Sequence, residues 1–334
     1  MQSIIKLKAP PSFLSYAAVG GREERRGPLG EKFDFCDDSD RFGMKTWETA
    51  EGEMGRLCLN LALNKCSLSH EALSLIVAGD LQNQCVASSG GLFTFGTPFL
   101  GLYGACSTCT EALIVLSVMM SESDSYTYGA AVTSSHNSAA ERQFRLPLEY
   151  GGQRPPTAQW TATAAGAFVL SKGAGRVKIT EVMPGKIIDG AIKDATNMGA
   201  AMAPAALDSI ISYFRLSENE PRDFDFIVTG DLGAVGSEIL EELLKESGLG
   251  EAAKRHVDCG KIIYDQNIQD PHAGGSGCGC SASVLAAHFL PKLERGEIKN
   301  ILFLSTGALM SPSSVQQGEN ICGIAPVIHI TSEQ

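Results

Sequence analysis

Short apolar runs, most of them closed by glycine, alternate along this chain with longer amphipathic stretches. The spacing predicts a helix over 47–64, with Thr46 as N-cap and Glu48, Glu51 and Glu53 near its positive end. A buried strand over 73–78, ending at Gly79, and a second over 98–103 follow. From Gly104-Ala105-Cys106-Ser107-Thr108 an apolar helix runs to about Ser121, and 126–133 and 164–170 read as two more strands. The second half repeats this order: helix 204–214, strand 224–229, helix 237–247, a glycine-rich turn, helix 281–293, and strands 300–305 and 325–330. Strands that are apolar throughout indicate parallel sheets covered by helices. Pro10-Pro11, Gly20-Gly21 and Gly27-Pro28-Leu29-Gly30 make the start of the chain read as an extended arm without regular structure.

The two halves are copies. Ile76-Val77-Ala78-Gly79-Asp80-Leu81 returns as Ile227-Val228-Thr229-Gly230-Asp231-Leu232, and Ala131 to Ser135 resembles Leu302 to Thr306. A period this long exceeds the roughly 20–50 residues of stacked-repeat solenoids and points to a duplicated domain. The expected organisation is an arm over 1–45, a first half over 46–200 and a second half over 201–334, together an α/β/α/β/α layered body. The first half carries a polar insertion over 134–163, longer than the about 12–15 residues at which structureless loops become uncommon and rich in His, Asn, Arg and Tyr.

Composition narrows the functions. At 334 residues, 44% hydrophobic and 19% charged, the chain can bury a large core. A net charge of −11 argues against sequence-independent binding to nucleic acid or anionic lipid, and the trio Arg22, Arg25 and Arg26 reads as a solvated loop. Ten cysteines are too few for a disulfide scaffold and fit a reducing compartment. The first residues lack a signal-peptide core, and the apolar windows 112–120 and 283–290 fall short of the roughly 20 residues that span a bilayer. Membrane association is therefore expected only through partners.

Candidate chemistry centres on Cys106, where a buried strand hands over to a helix and two small residues permit a sharp turn. A helix N-terminus favours thiolate, and amides at Cys106 and Ser107 could hold an oxyanion or a carboxylate. The same pattern also suits a thiol that only packs in a core. Cys109, three positions on, has redox spacing without a thioredoxin context. Cys278-Gly279-Cys280 and His256-Val257-Asp258-Cys259 lack the paired knuckles of a zinc site, and no Lys-Ser or Lys-Thr pair follows Gly274-Gly275-Ser276-Gly277 as a phosphate loop requires.

On these residues the chain resembles the thiolase superfamily, which includes the condensing ketoacyl synthases. Its detailed similarity is to the stage V sporulation protein AD family. That resemblance is carried by Gly27 to Gly30, Trp47-Glu48, Gly79-Asp80-Leu81, Gly104 to Thr108, Thr133 to Asn137, Ala140 to Arg145, Glu149 to Gln153, Met198-Gly199, Met202 to Ala206, Thr229 to Leu232 and Ala273 to Gly277. It implies a duplicated thiolase-like fold and a homodimer. Condensing enzymes pair the cysteine with a His and a second His or Asn from the second half. Gly230 and Cys278 stand at those positions, and neither matches imidazole or amide in donor reach. His272, several residues upstream, is the nearest imidazole along the chain.

The resemblance therefore implies a pocket converted from catalysis to binding, with no catalytic residue beyond the vestigial Cys106, and recognition of dipicolinic acid (pyridine-2,6-dicarboxylate), often with Ca²⁺. The expected ligand-binding residues are Cys106, Ser107, His136, Asn137, Arg142 and Arg145, because charge-assisted donors and planar guanidinium forks suit two carboxylates. Arg142 could instead pair with Glu141 or Glu149, and His136 could be structural. Asp80 or Asp231 could complete a Ca²⁺ shell brought by the ligand. No resident cofactor or metal is expected. The implied role is that of a subunit peripheral to the spore inner membrane, working with the SpoVA channel proteins in dipicolinate uptake and release. The alternative is an acyl-CoA-dependent acyltransferase that uses Cys106.

Overall fold

The computed structural model describes residues 2–144, 154–173 and 175–333. The strands that build the body are β1 (Pro11–Gly20), β2 (Leu75–Gly79), β3 (Phe99–Gly101), β4 (Tyr128–Ser135) and β5 (Ala164–Lys172), then β6 (Val177–Met183), β7 (Phe226–Thr229), β8 (His256–Asp258), β9 (Asn300–Leu304) and β10 (Val327–Ser332). The helices used below are α1 (Trp47–Lys65), α2 (Thr108–Glu122), α3 (Asn137–Phe144), α4 (Met198–Leu216), α5 (Gly233–Glu246) and α6 (Cys278–Val284).

The duplication is visible in the strand order. One half runs β3-β2-β4-β5-β1 and the other β8-β7-β9-β10-β6, and each has the same mixture of directions. The three outer strands of each half are parallel, while the two inner ones join antiparallel. The expected all-parallel sheets are thus corrected to mixed ones. The reason is local: 26 residues, 102–127, separate β3 from β4 and include α2, room for one parallel crossover, whereas β5 returns beside β4 without a covering helix layer between them and pairs antiparallel. The halves meet at the single pair Ser12↔Lys178, so the path through both is continuous.

Alternation along each strand makes the layers. Val77 and Val228 face a central core with α2 and α6, whereas Ile76 packs under α1 and Ile227 under α4 and α5. The result is helix, sheet, helix, sheet, helix. The window Ala105–Glu122 is long and apolar enough to cross a membrane, but 72% of it is buried as the core helix of the middle layer.

The first 45 residues are not an arm. Pro11–Gly20 is a ten-residue strand inside the sheet, and Phe13, Ala17, Ala18 and Val19 are buried on its two faces. The proline pair and Gly20-Gly21 mark the ends of the strand, where no ladder donor is lost. The helix expected over 204–214 begins six residues earlier, because Asn197 caps the Ala200 amide and Pro204 is accommodated inside α4. Over the polar insertion, α3 and the two-residue strand Trp160–Thr161 are regular structure, and the latter pairs with Gly275–Ser276.

Candidate functional site

The C-terminal ends of β2, β4, β7 and β9 converge with the starts of α2 and α6. At their meeting point Ala105 adopts φ 52°, a left-handed conformation in which a residue larger than alanine would be strained. The turn is closed by Ser107 N to Gly104 O at 3.1 Å and by Thr108 Oγ1 to Ala105 O at 2.7 Å. It presents Cys106, 5% exposed, to a cavity of about 70 Å³. Leu81, Tyr103, Ala140, Glu141 and Phe144 line one side, and Thr161, Met198, Ser276, Ala308 and Met310 the other. Among the described residues no Lys, Arg or His is part of this lining.

Opposite the thiol stands Asp231, fully buried at the end of β7. Its Oδ1 accepts from Thr306 Oγ1 at 2.8 Å, and its Oδ2 from the Gly277 amide at 2.8 Å and from Ser276 Oγ at 3.2 Å. The Ser276 hydroxyl lies 4.0 Å from Cys106 Sγ. Burial first, and then the adjacent Asp231 carboxyl, push the Cys106 thiol well above its ordinary range. Burial likewise pushes Asp231 up to about 7, against the pull of its hydrogen bonds. The thiolate expected from the helix N-terminus is therefore corrected to a protonated thiol, because desolvation and a neighbouring acid outweigh the helix dipole. The Ser107 amide is not free either, being bonded to Gly104 O.

The two second-half positions hold Gly230 and Cys278, neither an imidazole nor a side-chain amide. A side chain on Gly230 would begin 2.9 Å from Ser305 Cα and 3.0 Å from Thr306 N, so this backbone has no room for an imidazole there. Cys278, buried beside Cys106, donates to Ser134 O at 3.0 Å. His272 is held elsewhere, by Pro155 O at 2.8 Å and the Asp270 carboxylate at 3.1 Å.

Of the expected ligand residues that the structure describes, Cys106 alone lines the cavity. Ser107 is buried beneath it, donating to Gly104 O and Glu111. Asn137 lies one layer behind, its Nδ2 donating to Thr161 O at 3.2 Å. His136 is removed from the site: Nε2 bonds Asp40 O at 2.8 Å and its ring packs 5.3 Å from that of Trp47. Arg142 pairs with Glu48 of α1, and Glu149 lies outside the described residues. Arg145 lies outside the described residues. The Ca²⁺ suggestion fares no better, since the Asp80 oxygens accept from Gln82 N, Ser88 N and Ser88 Oγ at 2.8, 2.8 and 2.6 Å. Among the described residues no three His, Cys, Asp or Glu side chains are grouped to hold a metal ion.

Sequence reading missed Asp231 as the neighbour of the thiol, and missed Thr161, Ser276, Tyr103 and Met310 as walls. One signal was present for the first: Asp231 follows the repeated glycine at the end of β7, as Asp80 does at the end of β2.

Comparison with known proteins agrees with this architecture. The chain matches the family profile of stage V sporulation protein AD over residues 1–331. It is 43% identical over 316 residues to stage V sporulation protein AD of Bacillus subtilis (strain 168), covering 94% of this chain and 93% of that one. The fold is shared with 3-oxoacyl-[acyl-carrier-protein] synthase III from Aquifex aeolicus VF5, at TM-score 0.58 and 12% identity over 95% of this chain and 99% of that one. It is shared also with cerulenin-bound OleA of Xanthomonas campestris, at TM-score 0.61 and 13% identity over 97% and 100%. At such identities these structures speak for the fold alone. A thiolase-like body with this sequence kinship leads to one conclusion: the chain belongs to the stage V sporulation protein AD family and is a sporulation protein.

Proposed function

We propose that this chain is a non-catalytic subunit that binds dipicolinic acid in the thiol cavity and works with the SpoVA channel proteins at the spore inner membrane. The observation that carries the non-catalytic part is Asp231 opposite Cys106, where acyl transfer calls for an imidazole or an amide. A buried acid there opposes the thiolate, and its oxygens are already engaged by Thr306, Ser276 and the Gly277 amide, so turnover is expected to be lower by several orders of magnitude.

The cavity walls support a flat, largely apolar ligand, with Tyr103, Phe144, Met198 and Met310 around the ring and Ser276 and Thr161 supplying hydroxyls. The charge of the walls selects the form of that ligand. With the buried Asp231 carboxyl close by and no cation among the described lining residues, a free dianion is disfavoured, and dipicolinate enters as its Ca²⁺ chelate, the metal arriving as cargo. About 70 Å³ is well under the roughly 300 Å³ of ordinary small-molecule sites, so entry requires the wall carrying Phe144 to give way.

Assembly is part of the proposal. Strand β3 is a sheet edge whose Phe99 and Leu100 are exposed, beside an exposed Phe93, and this edge suits a second copy of the chain. Membrane attachment is through the channel partners.

Calorimetry on the full chain tests the reading. Heat of binding is expected with equimolar Ca²⁺ and dipicolinate, weaker with dipicolinate alone, and lost when Ser276→Leu fills the cavity. Absence of heat at millimolar chelate, or binding untouched by Ser276→Leu, removes the proposal.

A further inference from the structure

A second cleft, of about 250 Å³, opens where Arg26, Arg154, Trp160 and Gln269 meet. We infer that it is a separate small-molecule site for a planar aromatic carboxylate, standing independently of what occupies the thiol cavity. Three remote segments build it. Gln269 Nε2 donates to Glu23 O at 2.7 Å, Tyr264 is hydrogen-bonded to the buried Glu24, and Trp160 is fixed by the pairing of Trp160–Thr161 with Gly275–Ser276. The cleft is therefore preorganised, which lowers the ordering cost of binding.

Its chemistry is complementary to an aromatic acid. The Arg154 guanidinium lies 5.0 Å from the centre of the Trp160 ring, and Ile268, 61% exposed, supplies an apolar rim. A flat ring can extend that stack while its carboxylate meets the guanidinium forks. Arg154 has capacity to spare: Nη2 donates to Asp270 O at 2.6 Å, whereas Nη1 is enclosed with no hydrogen-bond partner among the described residues. Such an orphaned donor costs free energy that an acceptor would recover. Arg26 uses Nη1 on Glu23, at 3.0 Å, and its side chain is half exposed.

Two acids already sit nearby. Asp270 lies 3.4 Å from Arg154, but its side chain is 80% exposed and shared with His272, so solvent screens the pair. Glu23 competes directly at Arg26. The expected affinity is accordingly modest, in the low-millimolar range or somewhat below. Against a chain charge of −11, paired arginines in a cleft are what lets an organic anion settle here.

The two cavities share a wall. Trp160 lines the cleft, and the next residue, Thr161, lines the thiol cavity, as successive side chains of a strand face opposite sides.

Trp47 and Trp160 are the two tryptophans of the chain, so Trp47→Phe leaves Trp160 as the sole reporter. That variant of the full chain is titrated with benzene-1,3-dicarboxylate at constant ionic strength, following tryptophan emission. A saturable change is expected, its midpoint raised at least about tenfold by Arg154→Gln or by Arg26→Gln through loss of a charge-assisted bond, and unmoved by Cys106→Ala. Arg26 is exposed enough that its variant reports even where Arg154→Gln fails to fold. A response reproduced by sodium chloride, a midpoint indifferent to both arginine variants, or one abolished by Cys106→Ala overturns the inference. Crystals soaked with the 5-bromo derivative give a second reading: anomalous density in the cleft supports the site, and density confined to the thiol cavity refutes it.

Discussion

Asp80 and Asp231 occupy the same place in the two halves, each following the Gly that ends a central parallel strand, yet they serve different structures. Asp80 turns back on its own loop, accepting from Gln82 and Ser88 a few residues along. Asp231 reaches across the molecule to Thr306, Ser276 and Gly277, and it faces Cys106 of the other half. Duplication supplied two equivalent acids, and the asymmetric contents of the middle layer made one a loop anchor and the other the guardian of a protonated thiol. The lesson is that a repeat fixes where a side chain begins, while its partners come from whatever the other half brings.

The largest expected break in this comparison lies in the glycines that precede the two acids. A side chain at Gly79 would begin 2.1 Å from Leu102 O, whereas at Gly230 the closest atom is Ser305 Cα at 2.9 Å. Thermal unfolding of Gly79→Ala is expected to show a loss of about 3 kcal/mol or more, and Gly230→Ala about 1–3 kcal/mol. Equal losses would show that the two turns are packed alike.

The thiol itself sharpens the contrast. With Asp231→Asn the carboxyl that opposes the Cys106 thiolate is gone, so alkylation by iodoacetamide at neutral pH, followed by peptide mass, is expected to quicken severalfold. Asp80→Asn is expected to leave that rate as it is. A rate unmoved by Asp231→Asn would mean that burial alone controls the sulfur.

Stability against pH is the subtler test. Burial raises Asp231 and Glu24 each to about 7, above an unfolded value near the ordinary carboxyl range, so the folded chain binds more protons than the unfolded one. Their contribution is fully present below that ordinary range and is lost as pH rises towards 7, at about 1.4 kcal/mol per pH unit for each group. Denaturant titrations across this window should show the decline, and Asp231→Asn should make it shallower by one group's share. A slope unchanged in that variant would place the bound proton elsewhere.

Much of this architecture was legible in the sequence. Helix α1 begins at the residue predicted, because Thr46 caps it and apolar positions repeat through it. The repeated Ile76 and Ile227 segments announced the duplication, and small residues before a cysteine announced the turn. Strand β1 was hidden by the proline and glycine that bound it. The ligand residues proved hardest, and the reason is distance along the chain: the His136 bond to Asp40 spans 96 residues and the Arg142 pairing with Glu48 spans 94. No local pattern encodes such partners; they are decided only when α3 docks beside α1.

The central claim is that the cavity kept its sulfur but lost the means to use it. Incubation of the full chain with acetyl-CoA, followed by intact mass measurement, tests this most directly. The account predicts an unchanged mass; an acetyl adduct that disappears in Cys106→Ala would contradict it.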